Sequence, residues 1–387
     1  MHNLKECFLL DPSIIFLNHG SFGATPKPVF EDYQRWQSRL EQQPVLFLGR
    51  EYDQLLFESR KKLGEYLNAD ANDLVYVPNA THGVNIIARS LELKPGDEVL
   101  TSDHEYGACD YTWDYLCGKT GAKYIHQHIP LPVQSGEEIL ELLWKGVTPR
   151  TKVIFLSHIT SPTALRLPVE QICARARELG IFTFIDAAHS PGQIHVDLQK
   201  LGTDAVTGNC HKWMMSAKGA AFLYVKKEAQ PLVEPLIVSW GYNPTPATTT
   251  GSRFIDLLQW TGTRDPSAAL TVPAALQFMQ DHHWDDVRRE CHLLLNEGIE
   301  QICELTKLQP LYPLDSDLYF QMGIAPLPKC NIEVLKQRLY NEYRIEVPLI
   351  LWQEQQFVRI SVQGYNTSED INALVRALAV LLPQVGL

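Results

Sequence analysis

Short apolar runs alternate with helical apolar stripes over most of the chain. The clearest run, Ile181 to Ile185, is long enough for a buried strand and ends just before Asp186. Two more runs, Asp204 to Thr207 and Ala220 to Val225, enclose Asn209-Cys210-His211-Lys212-Trp213. Upstream, Asp73 to Pro78, Glu98 to Thr101 and Lys152 to Ser157 also read as strands. Stripes at helical spacing run between and before them. Val29, Tyr33, Trp36 and Leu40 mark a helix from Pro28 to Leu40, and Leu55, Leu56, Leu63 and Leu67 one from Glu51 to Leu67. Val84, Ile87 and Leu91 mark another after Gly83, and a fourth spans Val169 to Leu179. This alternation predicts an α/β fold with a mostly parallel sheet. After Val225 the pattern breaks. Trp240 to Asp265 is rich in Thr, Gly and Pro with little periodicity, as in a long surface loop or a segment that reaches another subunit. Helical stretches from Ala268 to Met279 and Trp284 to Leu305 follow. Short apolar runs come next (Leu318 to Phe320, Ile345 to Val347, Phe357 to Ser361), then an amphipathic helix from Ser368 to Leu382. That sequence of elements predicts a smaller α+β domain.

Composition narrows the partners. A chain of 387 residues with 45% hydrophobic and 20% charged content suits a soluble globular protein of about two domains. The net charge of −11, with no long basic run, argues against nucleic acid or an anionic membrane surface as the main partner. Eight scattered cysteines show no CxxC or zinc-like spacing, so no metal site is expected and the thiols read as reduced, buried small hydrophobes. The start, MHNLKECFLLDPSIIF, lacks the features of a signal peptide, and no apolar stretch reaches membrane-spanning length. The expectation is a cytoplasmic enzyme.

The candidate chemistry lies where strands end. Asp186 and Lys212 each follow a strand and could meet over one sheet. Pyridoxal phosphate chemistry needs such a pair, a lysine to bind the cofactor and a carboxylate to keep its pyridine nitrogen protonated. On spacing alone, a strand-end aspartate is more often a cap and a lysine a solvated charge. Asn79-Ala80-Thr81-His82-Gly83 joins a strand to a helix N-terminus, which suits either an anion or ordinary capping by Asn79 or Thr81. Phe16 to Gly23 is a short run ending in a Gly-rich turn. In Ser102 to Gly107, His104 and Tyr106 are candidates to lie on an aromatic ring, or are simply a satisfied histidine and a half-buried tyrosine.

The ordered set of these segments resembles the class V aminotransferase family of fold-type I pyridoxal phosphate enzymes. It comprises Asn79 to Gly83, Ser102 to Tyr106, Asp186-Ala187-Ala188-His189, His211-Lys212, Gly262-Thr263, Arg359-Ile360-Ser361 and Tyr365-Asn366-Thr367. Leu17 to Ser21, His104 to Gly107 and Gln259 to Thr263 look most similar to the isopenicillin N epimerase-like branch, which includes cystine C–S lyases. The resemblance implies pyridoxal 5'-phosphate as cofactor and a homodimer with shared active sites. It also implies a large cofactor-binding domain at 21–265 and a small domain made of 1–20 and 266–387. Lys212 would bind the cofactor and move the Cα proton, Asp186 would pair with the pyridine nitrogen, and His189 would contact the phenolic oxygen. Ala80, Thr81 and His82 would hold the phosphate, with Asn209 and His211 adding donors. Gly262 and Thr263 would reach it from the other subunit. Tyr106 falls at the stacking position, where many relatives have histidine, which leaves His104 as an alternative. Arg359 would clamp the substrate carboxylate, with His19 and Ser161 also on the substrate side.

The family runs several reactions on one fold. Its cysteine desulfurases need a nucleophilic cysteine shortly before the clamp arginine, and 331–358 contain none. The expected activity is therefore carbon–sulfur β-elimination on L-cystine or a related cysteine derivative. The products would be pyruvate, ammonia and a persulfide or thiol, which could feed iron–sulfur clusters. The alternatives are epimerisation of the isopenicillin N type, with Tyr106 or His19 as a second acid, a desulfurase-like reaction, and cofactor binding without turnover. A second cation for the far carboxylate of cystine would be Arg50, Arg253 or Arg264.

Overall fold

The computed structural model describes residues 4–246 and 248–386. Among them are twelve strands: β1 (Ile15–Phe16), β2 (Leu74–Val77), β3 (Glu98–Ser102), β4 (Lys123–Gln127), β5 (Thr151–Ser157), β6 (Phe182–Asp186), β7 (Ala205–Asn209), β8 (Ala221–Val225), β9 (Met322–Leu327), β10 (Ile345–Glu346), β11 (Leu349–Trp352) and β12 (Gln355–Ser361). β2 to β8 form one sheet in the order β2-β8-β7-β6-β5-β3-β4. β8 alone runs antiparallel to its neighbours, and the other pairs are parallel.

Helices cover both faces of this sheet, which is why its central strands are buried almost along their whole length. Ile154, Leu156 and Ile185 point into one core, while Val153, Phe155 and Phe184 point into the other. The edge strand β4 and the Gly107–Thr120 helix beside it have no counterpart in the sequence pattern. β4 buries none of its five residues, so it lacks the apolar run that marks the inner strands.

The second part of the chain builds smaller sheets. β9, β11 and β12 make an antiparallel sheet with β12 in the middle, and the 23-residue Trp284–Thr306 helix packs on β9. β1 pairs in parallel with β10, Ile15 opposite Ile345, which draws the N-terminal segment to this end. Ser361 N donates to Leu17 O (2.9 Å), which carries the chain from β1 past the end of β12.

Two expectations need correction. The segment from Trp240 to Asp265 is not all loop: it contains a helix, Arg253–Gln259, with six of seven residues buried. A short helix buried nearly all round shows no amphipathic period. The stretch from Ala268 to Met279 is two helices, Ser267–Leu270 and Val272–Asp281, with Pro273 at the start of the second. Both pack on the Lys27–Gln42 and Tyr52–Leu67 helices. The apolar run Leu318 to Phe320 lies just before β9, which starts at Met322. Among the described residues, no helix is long and apolar enough to cross a membrane.

Candidate active site

The carboxyl ends of the parallel strands bring the site together. Asp186 is the last residue of β6, in register with Ser157, the last of β5. Lys212 follows the end of β7, and the Ala80–Ser90 helix starts after β2. These ends open onto a cavity of about 290 Å³ whose lining includes Lys212, Asp186, His189, Thr81, Tyr106 and Asn209. Ser161, His211 and Ala80 also line it.

Burial dominates the electrostatics. It pushes the Lys212 amine down to about 8, against the opposing pull of the Asp186 charge. It raises the Asp186 carboxyl, which the Ala188 N–H and Lys212 partly offset. Asp186 Oδ1 accepts from Ala188 N (2.8 Å), and Oδ2 accepts only the weak thiol donor of Cys109 (3.5 Å). Burial, then the charges of Lys212 and Arg359, hold the His189 ring well below its usual value, and its Nε2 lies 3.2 Å from Lys212 Nζ.

At the other end, Asn79 caps the helix by accepting from His82 N (2.9 Å), and Ala80 N donates to Asn209 Oδ1 (2.9 Å). Two of the N–H groups expected to cradle an anion, those of Ala80 and His82, are thus held by side-chain amides, and His82 is not among the cavity-lining residues; Thr81 is. Gly83 permits the close approach of this helix to β7: a Cβ there would lie 2.2 Å from Thr207 Oγ1. His211 Nδ1 lies 2.8 Å from the carbonyl of Ala220 and so donates to it, leaving Nε2 with a lone pair while the ring is neutral. Burial lowers that ring to about 4.

Arg359, on β12, reaches the cavity rim. Its Nη1 donates to Ser161 O (2.5 Å) and Ser161 Oγ (3.3 Å), and its Nη2 to Ser21 Oγ (3.2 Å). Its buried Nε has no partner. Burial pushes the guanidinium down to about 10.

Some expected residues lie elsewhere. His104 cannot stack in the cavity: its ring is buried, bonded to Thr163 Oγ1 (2.7 Å) and Ile129 O (2.7 Å), and packed 4.4 Å from Trp352. Tyr106 lines the cavity in its place. Glu105 between them turns inward to accept from Ser102 Oγ and Ser157 N, tying the ends of β3 and β5 together. His19 does not face a substrate either. It is buried behind the site, with Nδ1 at Tyr365 Oη (2.9 Å) and Nε2 at Lys212 O (3.1 Å), and burial lowers it to about 3. It supports the Lys212 backbone, and as a buried ring near 3 it is a poor second acid. Thr263 lines a separate cleft of about 500 Å³ with Trp240 and Trp260, to which this chain's own Lys212 does not contribute. Arg253 is tied to Gly241 O and Tyr242 O, and Arg264 to Gln259 O. Neither these two nor Arg50 lines the Lys212 cavity. Two residues outside the expected set also touch the site, Cys109 at Asp186 and Trp213 at His189; in the chain, only the adjacency of Trp213 to Lys212 points to either.

A buried lysine amine, a carboxylate oxygen held by no more than a thiol, an imidazole and a capped helix N-terminus converge on one cavity, and this donor set fits pyridoxal phosphate. Fold and site together define a fold-type I pyridoxal phosphate enzyme. The chain belongs to the class V aminotransferase family, whose model (aminotransferase class-V) matches residues 17–374. It is 32% identical to isopenicillin N epimerase of Amycolatopsis lactamdurans, over 98% of each chain. It is 28% identical to a probable chloroplastic L-cysteine desulfhydrase of Arabidopsis thaliana, over 95% of this chain and 84% of that one. Two solved structures share the fold. One is the apo cysteine desulfurase from Thermococcus onnurineus NA1 (TM-score 0.84, 20% identity, 99% and 98% covered). The other is the cystine C–S lyase C-DES with its product cysteine persulfide (TM-score 0.80, 22% identity, 97% and 99% covered). The protein is a pyridoxal phosphate-dependent enzyme of this C–S lyase and epimerase group.

Proposed function

We propose that the protein is a carbon–sulfur lyase that cleaves the Cβ–S bond of L-cystine or a related cysteine derivative without a protein thiol. The observation that carries this is the state of the cysteines. Cys330 is buried and its thiol donates to Gln356 Oε1 (3.3 Å). Cys109, the thiol beside the cavity, is pushed well above its usual value by burial and the Asp186 charge. Neither is poised as a thiolate to accept sulfur.

Bound pyridoxal phosphate supplies an electron sink that acidifies the Cα hydrogen of an attached amino acid. Lys212 would hold the cofactor, and as a free amine its Nζ would take that proton. Asp186 would keep the pyridine nitrogen protonated, and Tyr106 would lie against the ring. Asn79, Thr81, Asn209 and His211, which line the cavity, would hold the phosphate, and Gly262 and Thr263 of a second copy would add to them. Arg359 holds the substrate carboxylate, with Ser161 and Ser21 fixing the guanidinium. The Cβ–S bond then breaks, and sulfur leaves with the electron pair. From cystine and one water the products are cysteine persulfide, pyruvate and ammonia. The identities to a desulfhydrase and an epimerase support the same chemistry up to loss of the Cα proton. A second reading, epimerisation, has one observation in its favour: the phenol of Tyr106 stands at the cavity as a second proton donor.

Product analysis separates the readings. With cystine, pyruvate, ammonia and a thiol-reducible persulfide should form in equal amounts, and Cys330→Ala should leave that ratio unchanged. Alanine with enzyme-bound sulfur, or D-configured product without pyruvate, would overturn the proposal.

A further inference from the structure

Trp213 directly follows Lys212, is fully buried, and packs 4.9 Å from the ring of His19. Its indole nitrogen can donate a hydrogen bond but cannot accept one. That N–H meets Nδ1 of His189 at 3.2 Å. Nδ1 must then carry a lone pair, and the proton of the neutral imidazole sits on Nε2. Nε2 in turn is 3.2 Å from Lys212 Nζ. If Lys212 were an ammonium, two sets of N–H groups would face each other across that distance. A neutral amine offers a lone pair and accepts.

We propose that Trp213 is a positioning residue for the cofactor-binding step. By donating to Nδ1 it fixes His189 as the Nε2–H tautomer, and that N–H holds Lys212 as the neutral, nucleophilic amine. This rests on Lys212 being the lysine that captures pyridoxal phosphate.

The surrounding charges are divided. Asp186 on β6 and the Cys109 thiol on the Gly107–Thr120 helix favour the ammonium, while burial and Arg359 on β12 favour the amine. His189 is kept neutral by burial and by Lys212, Arg359 and His19. None of these groups selects between the two neutral tautomers; the Trp213 N–H does. Without it the ring can carry its proton on Nδ1 and turn a lone pair toward Lys212. That arrangement accepts from an ammonium and stabilises the charged, unreactive lysine.

The full-length protein, freed of cofactor and then given pyridoxal phosphate, tests this. Nitrogen NMR of labelled histidine, with His189→Gln to assign the signal, should show wild-type His189 protonated on Nε2. Covalent uptake, followed by visible absorbance and mapped after borohydride trapping, should rise through a midpoint near 8 in the wild type. Trp213→Phe should raise that midpoint and slow uptake at pH 7 several-fold. In the His189→Gln background, where no ring tautomer exists, Trp213→Phe should change nothing further. A wild-type ring protonated on Nδ1 overturns the proposal, and so does equal slowing in both backgrounds, which would reduce Trp213 to packing. If Trp213→Phe does not fold, the wild-type nitrogen spectrum decides alone. Trapping on a different lysine would instead refute Lys212 as the capture site, whatever the tautomer.

Discussion

Arg359 is a buried cation that uses three hydrogen bonds to position itself and leaves its Nε without a partner. An unpaired buried N–H is costly, and a bound carboxylate would relieve that cost. Lysine in its place is a point charge with no planar fork, so it cannot both keep Ser161 and Ser21 and grip a carboxylate with two parallel bonds. Arg359→Lys should lower kcat/KM by about 1–3 kcal/mol, roughly 5- to 150-fold, because a charge-assisted contact is lost. The absorbance of the bound cofactor should stay as in the wild type. Unaltered steady-state kinetics would remove Arg359 from the substrate site.

The helix from Ala80 to Ser90 and strand β7 act as one unit. Asn209 at the end of β7 accepts from Ala80 N, and Gly83 lets the helix lie against Thr207. A Cβ at Gly83 meets a side chain in the middle of a buried strand, where little can give. Gly83→Ala should therefore cost about 1–3 kcal/mol of stability, the usual range for overpacking, although alanine is the better helix former. It should also push the helix N-terminus away from the cavity and weaken cofactor retention. Urea denaturation and cofactor release on dilution measure the two effects. A stabilised variant with unchanged retention would show that the close approach is not needed.

Phe22, Tyr111 and Trp240 are each more than 70% exposed, which is unusual for large apolar side chains on an isolated chain. Thr263 lines a cleft to which its own Lys212 does not contribute. Both facts suit a symmetric dimer in which each copy completes the other's site. Mixing inactive Lys212→Ala chains with inactive Thr263→Asp chains should then restore activity, since one site in each mixed dimer holds both native residues. Random exchange predicts about a quarter of the wild-type rate for two-fold pairing. Mixed dimers that form but stay inactive would place the complete site within one chain.

Much of this was legible in the sequence. The strand-helix alternation, and Asp186 and Lys212 at neighbouring strand ends, followed from apolar runs and helical stripes, because a sheet covered on both faces writes its strands as unbroken apolar segments. The order of the short motifs identified the family without coordinates. Where local pattern carries no signal, only the folded chain decided. The edge strand β4 and the buried Arg253–Gln259 helix lack a period to read. His104 and Tyr106 sit two residues apart in one turn, and packing against Trp352 took the first out of the cavity while the second stayed. The contacts that tune the site are also tertiary. Cys109 meets Asp186, Trp213 meets His189, and Ser21 and Ser161 meet Arg359 across at least 24 positions of chain. Such partners are chosen by where strand ends and loops converge in space, and neither propensity nor spacing encodes that convergence.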